Sequence, residues 1–261
     1  MLNSIYIDEL KYLIGGCNYV INKHITVYNP YVYEVRDFGE DLYEYILSIF
    51  TRKPYDLAVE LYDNGVDYQS ITDWDLFFDT IAQNKLPIEY TCILFGKLDF
   101  SKFLPYIENN TGIKKLVAFS ENGEEIVIDE VIYRKIVTYL RYMHFVSEKV
   151  EYDVGNKQAK KFLIDRMRRK KKKLLKDYEL GRKKKQSNIS TMIKYCVNNS
   201  NFKYTYDACM NLHLNLLYES YYFITYGNER DNVMSGVYHG TIDTSKMKDK
   251  SILNIIPDLH K

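Results

Sequence analysis

The residues best placed to do chemistry form one uninterrupted run. Arg166 precedes six consecutive cations, Arg168, Arg169, Lys170, Lys171, Lys172 and Lys173. Residues 157–185 hold 15 Lys and Arg against 3 Asp and Glu, a local charge of +12 that the acidic remainder, at −11, brings back to an overall +1. Three chemistries fit such a run. Contacts to a nucleic-acid backbone release condensed counterions, so binding of that kind falls steeply with salt and carries no sequence readout. An acidic protein surface offers the same attraction. A solvated helix, paired with acids elsewhere in this chain or a neighbour, is the third. No zinc finger or aromatic RNA-binding signature accompanies the run, and too few large apolar residues oppose the cations for a lipid-facing helix.

Other reactive residues are scattered. Cys17, Cys92, Cys196 and Cys209 form no C-x-x-C pair. Cys209 and His213 share a helical spacing, but a structural zinc site needs about four ligands, so free, partly buried thiols are the expectation. His24, His144, His213, His239 and His260 lie far apart. His144 falls on the apolar side of a predicted helix and reads as a core residue rather than a base. Asp73 and Asp75 around Trp74 read as the acidic start of a helix. Glu124, Glu125, Asp129 and Glu130 read as a solvated edge rather than a metal cluster. The phosphate-cradling glycine loops, the G-x-S-x-G elbow and H-E-x-x-H are all missing. No enzymatic site, cofactor or metal is expected.

The elements that must position these residues begin with a predicted hairpin around Gly15-Gly16, flanked by Tyr12–Ile14 and Asn18–Ile21, with Ile25–Val27 as a third strand. Asn29-Pro30 reads as a helix cap and first position, opening one helix over 31–50 with Val35, Phe38, Leu42, Tyr45, Ile46 and Ile49 as its stripe and Gly39 as its weak point. Helices are predicted over 56–63 and 73–84, the second capped by Thr72 or Asp73 with Trp74, Phe77, Phe78 and Ile81 facing inward. Residues 90–95 fit either a strand or a helix start, and 99–108 a helix interrupted by Pro105. Residues 115–129 read as a β-hairpin turning at Asn122-Gly123. A helix over 130–147 follows, with Val131, Tyr133, Ile136, Val137, Leu140, Met143 and His144 as its stripe. The basic run is predicted as a helix edged by Phe162, Leu163, Met167 and Leu174 and stopped at Gly181. Helices over 191–197 and 206–226 precede an irregular tail with a short strand.

Across its 261 residues the chain is 46% hydrophobic and 27% charged, which supports a buried core and excludes a wholly disordered chain. No apolar run is long enough to cross a membrane, and the early acids of MLNSIYIDELKYL argue against a secretion signal. The 26 Tyr, with abundant Lys and Asn, fit an AT-rich coding bias, and Tyr also suits core edges and interfaces.

Three segments together carry a resemblance: Asn29-Pro30-Tyr31-Val32-Tyr33-Glu34-Val35 with Gly39-Glu40-Asp41-Leu42-Tyr43; Pro54-Tyr55-Asp56 with Asn64-Gly65-Val66-Asp67; and the stretch from Ser235 to Lys246. This layout resembles proteins from tail-morphogenesis regions of tailed phages of low-GC Gram-positive bacteria, several regarded as tail assembly chaperones or minor virion components. The resemblance implies a non-enzymatic protein that binds other phage tail or virion proteins, a helical tape-measure-like chain among them. The host cytoplasm or the virion would be its location. It assigns no functional residue.

The expected fold is α+β and mainly helical: a small N-terminal β-element, a second hairpin near 115–129, and a helical C-terminal half with a basic arm at 157–185. A division near residue 150 is expected. The candidate protein-binding residues are Leu212, Leu216, Tyr218, Tyr221 and Tyr222, with simple core packing as the competing role. Arg166 and Arg168–Lys173 are the candidates for phosphate or an acidic partner. Homo-oligomerisation and nucleic-acid binding stay open as alternatives.

Overall fold

The computed structural model describes residues 7–8, 10–14, 16–146, 155–182, 187–247 and 250–255. Its fold is α+β and mainly helical. The predicted division near residue 150 lies outside the described residues.

Residues Leu10–Ile14 form a π-helical turn, not the first strand of a hairpin. The N-terminal hairpin instead pairs β1 (Tyr19–Val20) with β2 (Thr26–Val27), Tyr19 opposite Val27. Asn22 closes its loop, its Oδ1 accepting from the backbone amides of His24 and Ile25.

The single helix expected over 31–50 is two, α1 (Val32–Phe38) and α2 (Glu40–Thr51). Gly39 sits between them at φ 100°, a backbone that side-chain-bearing residues rarely adopt. The break resets the helical phase. Tyr43, Ile46, Ile49 and Phe50 turn inward, and Tyr45 is exposed. Asn29 does not cap α1, which begins after Tyr31, whose amide donates to Glu34 Oε2.

A 3-10 turn, Pro54–Leu57, leads into the short α3 (Ala58–Asp63). Then α4 (Asp73–Asn84) starts as expected, with Thr72 Oγ1 accepting from the Asp75 amide and Trp74, Phe77, Phe78 and Ile81 buried. The ambiguous run near 90 is helical, α5 (Ile88–Phe95). The helix expected over 99–108 is instead a 3-10 turn, Phe100–Lys102, and an edge strand, β3 (Leu104–Ile107), which accommodates Pro105 outside a helix.

The predicted hairpin is β4 (Lys114–Phe119) and β5 (Glu125–Ile128), with positive φ falling on Gly123. With β3 on the other side of β4, it makes a three-stranded antiparallel sheet. Asp129 caps α6 (Glu130–Met143), accepting from the Ile132 amide at 2.8 Å. Its expected stripe is buried from Tyr133 onward, but Val131 is exposed and Tyr139, outside the expected stripe, is fully buried.

The basic run forms α7 (Lys157–Glu179), with Asn156 Oδ1 accepting from the Gln158 amide and Gly181 just past its end at φ 63°. Then come α8 (Asn188–Val197), α9 (Tyr206–Met210) and α10 (Leu214–Tyr238). The helix expected over 206–226 is interrupted because residues 212–214 pair with residues 30–32: Val32 N donates to Leu212 O at 2.9 Å and Leu214 N to Pro30 O at 2.8 Å. The described part of the tail is 3-10 turns at Thr244–Lys246 and Ser251–Leu253, in place of the short strand expected there.

One main core joins Val35, Tyr43, Phe50, Phe77, Tyr133 and Leu140 to Cys196, Cys209, Leu214 and Leu217, so α8–α10 share it with the N-terminal helices. A satellite cluster of Ala58, Tyr68 and Ile164 lies under α7.

Candidate interaction surface

The basic helix is half clamped and half uncovered. Ile164 is fully buried against Ala58 and Tyr68, with Met167, Val59 and Leu61 around them. The apolar anchor is therefore Ile164, while Phe162 is exposed. Acids of α3 and the loop after it reach the same face. Lys160 Nζ lies 2.7 Å from Asp67 Oδ2 and above the Tyr68 ring, Arg168 bridges Asp63 at 2.5 Å and Asp165 at 2.8 Å, and Lys171 pairs with Glu60. As α7 ascends from 160 to 171 its acidic partners descend from 67 to 60, so α3 lies antiparallel beneath it. Lys160 holds the Asp67 carboxyl below the usual range and Lys171 does the same to Glu60. The pairs are mostly solvent-screened, so each contributes little alone; Ile164 supplies the apolar anchor.

The predicted basic residues thus divide. Arg168 and Lys171 are tied to α3. Arg169 Nε donates to the Asp165 carbonyl. Among the described residues, Arg166, Lys170, Lys172 and Lys173 have no carboxylate partner. Beyond Lys171, α7 outruns α3 and carries Leu174, Leu175 and Tyr178 at 40%, 54% and 43% exposure.

The Leu/Tyr candidates are half-buried and take part in packing. The Leu212 carbonyl accepts from Val32. Tyr218 packs edge-on to His144, Tyr221 edge-on to Tyr195, and Tyr222 against Phe145. Burial pushes the Tyr218 and Tyr222 hydroxyls to higher pKa. Leu216 is half-buried on the same helix. These contacts are those of a core edge, the competing role weighed for this helix.

His144 is buried with both ring nitrogens engaged: Nε2 meets the Tyr43 hydroxyl at 2.5 Å, and Nδ1 meets the Leu140 carbonyl at 2.8 Å. Burial lowers its pKa to about 4, outweighing the hydrogen bond to Leu140. This is the core role expected of it.

A cleft of about 1160 Å³ brings together His24, His213, Glu34 and Asp99, which their sequence separation hides. Most of their polar atoms are tied to the fold, although His24 Nε2, close to Glu124, is buried without a hydrogen bond. His24 Nε2 lies 3.1 Å from Glu124, His213 Nδ1 meets the Asn29 carbonyl at 2.8 Å, Glu34 accepts from the Tyr31 amide, and Asp99 accepts from Ser101. The acids near the hairpin are also engaged: Glu124 with Lys23, Glu130 with Arg134, and Asp129 as a cap. Among the described residues, no group of three His, Cys, Asp or Glu is placed to hold a metal ion, and no helix is long and apolar enough to cross a membrane.

Residues 182–256 match the family described as the YomV second domain. That domain is phage-associated, and the match is consistent with a phage protein. It begins just past the end of α7 and takes in α8, α9 and α10. No curated protein and no solved structure shows significant similarity to the chain.

Proposed function

We propose that this chain is a non-enzymatic phage protein that binds other phage proteins during tail or virion assembly, in the manner of a tail assembly chaperone. The observation that carries the reading is the distal half of α7, where Leu174, Leu175 and Tyr178 stand exposed among Lys170, Lys172, Lys173 and Lys176. A duplex backbone presents phosphate charge but little apolar surface to cover such residues, whereas a protein partner offers both. The phage-associated match over 182–256 supports the setting.

The test is affinity capture with the tagged chain from a phage-infected lysate, divided into nuclease-treated and untreated halves, with the retained proteins identified. Tail or virion proteins held in both halves are the expected result. Capture that vanishes with nuclease would replace this reading with phosphate binding by the basic run.

A further inference from the structure

The covered and uncovered halves of α7 are chemically alike. Eleven residues make three helical turns to within about 20°, so positions eleven apart share a face. Lys160, Leu163, Ile164 and Met167 are followed at that interval by Lys171, Leu174, Leu175 and Tyr178. Each set is a lysine, a leucine, a branched aliphatic residue and a large apolar residue in the same order. In the first set Ile164 and Met167 pack on the α3 segment and Lys160 pairs with Asp67, and helical phase puts Leu163 on the same face. The second starts at Lys171, which still reaches Glu60, and its three apolar members continue the face beyond the end of α3, where they are exposed.

What covers the first set indicates what suits the second. The α3 segment presents Ala58, Val59 and Leu61 to the apolar residues of α7 and Glu60, Asp63 and Asp67 to its cations. The helical phase puts Lys170 on one side of the second set and Lys172 on the other, with Lys176 a turn further along. Among the described residues none of these three has a carboxylate partner.

We infer that the distal half of α7 is a docking site for an acidic amphipathic helix of another protein, which seats its apolar face on Leu174, Leu175 and Tyr178 and its carboxylates on the flanking lysines. This deepens the protein-binding reading above and rests on it. The docked helix repeats in trans the contact that α3 makes in cis.

The probe is a fluorescent peptide spanning residues 54–68, the α3 segment itself, held helical by a side-chain cross-link on its outward face. Its binding to the full-length protein is followed by anisotropy and compared with a Leu174→Ser, Leu175→Ser, Tyr178→Ser triple variant. The three side chains are solvent-exposed, so the variant is expected to keep the wild-type melting temperature. The expected result is binding that weakens with salt and falls about tenfold or more in the triple variant. Binding unchanged in the triple variant would mean that the peptide displaces α3 from the first set, and would overturn the inference. Failure to bind the wild type would overturn it as well. So would a short DNA duplex that binds wild type and variant equally where the peptide binds neither. Virion proteins captured equally by wild type and triple variant would remove this site and leave the assembly role standing. Peptide binding lost in the variant, with no virion protein captured by either, would keep the site and remove the role.

Discussion

Tyr43 and His144, 101 positions apart, meet through a buried hydrogen bond in which the phenol donates to Nε2 while Nδ1–H donates to the Leu140 carbonyl. The ring is neutral in the folded state. Its folded pKa, about 4, lies below the ordinary value of 6.5, so the unfolded chain takes up the proton first as pH falls. Stability from this site is fully present above pH 6.5 and is lost on acidification towards pH 4. Urea unfolding at pH 7 and pH 5 should differ by about 2 kcal/mol from this residue. A His144→Gln variant should show a shallower pH dependence over that interval; an unchanged one would contradict the assignment.

Asn29 Nδ2 donates to Asn215 Oδ1 at 2.8 Å in a buried setting. Replacing Asn215 with Ala leaves that donor buried without its acceptor, at a cost of about 1–3 kcal/mol. The urea midpoint of Asn215→Ala should fall accordingly, and a change within error would mean that water takes over the bond.

At Gly39 an added Cβ would meet nothing within 4 Å, so only the backbone opposes substitution. Gly39→Ala should destabilise by about 1–2 kcal/mol through its positive φ alone. Thermal melting reads this directly; a neutral or stabilising effect would mean that α1 and α2 can merge.

Ile164 anchors α7 in a cluster separate from the main core. Ile164→Asp should therefore release α7 without unfolding the rest. Limited trypsin digestion should cut wild type first beyond Lys171, and the variant along the whole helix, while near-ultraviolet circular dichroism of the aromatic core persists. Global loss of that signal in the variant would show that α7 is integral to the core.

Elements set by local chemistry could be read from the sequence. Thr72 before Asp75, Asn122-Gly123 between alternating strands, and the inward residues of α6 from Tyr133 onward each carry their own signal. Distant partners decided the rest. Asn29 looked like a cap because Pro follows it, yet its side chain answers Asn215 and its neighbours answer Leu212 and Leu214. Gly39 was visible as a weak point, but not as a left-handed break that shifts the buried stripe to Tyr43 and Phe50. In the basic run the cations and helical propensity were plain. The edge drawn through Phe162 and Leu174 missed Ile164, because the face that matters is set by α3, some hundred residues earlier.

The pairing of residues 30–32 with 212–214 also orders events during synthesis. Roughly 180 residues must be made after Val32 before its amide can find the Leu212 carbonyl, an interval on the order of ten to forty seconds at ordinary translation rates. Through that time the surface that will receive Leu214 and Leu217 is open, while α3 and α7 can meet only once Lys171 has been made, with about 40 residues still to come before Leu212. The nascent chain can thus carry its charged helix in place before its apolar seam is sealed, and it is the open seam that a chaperone would encounter.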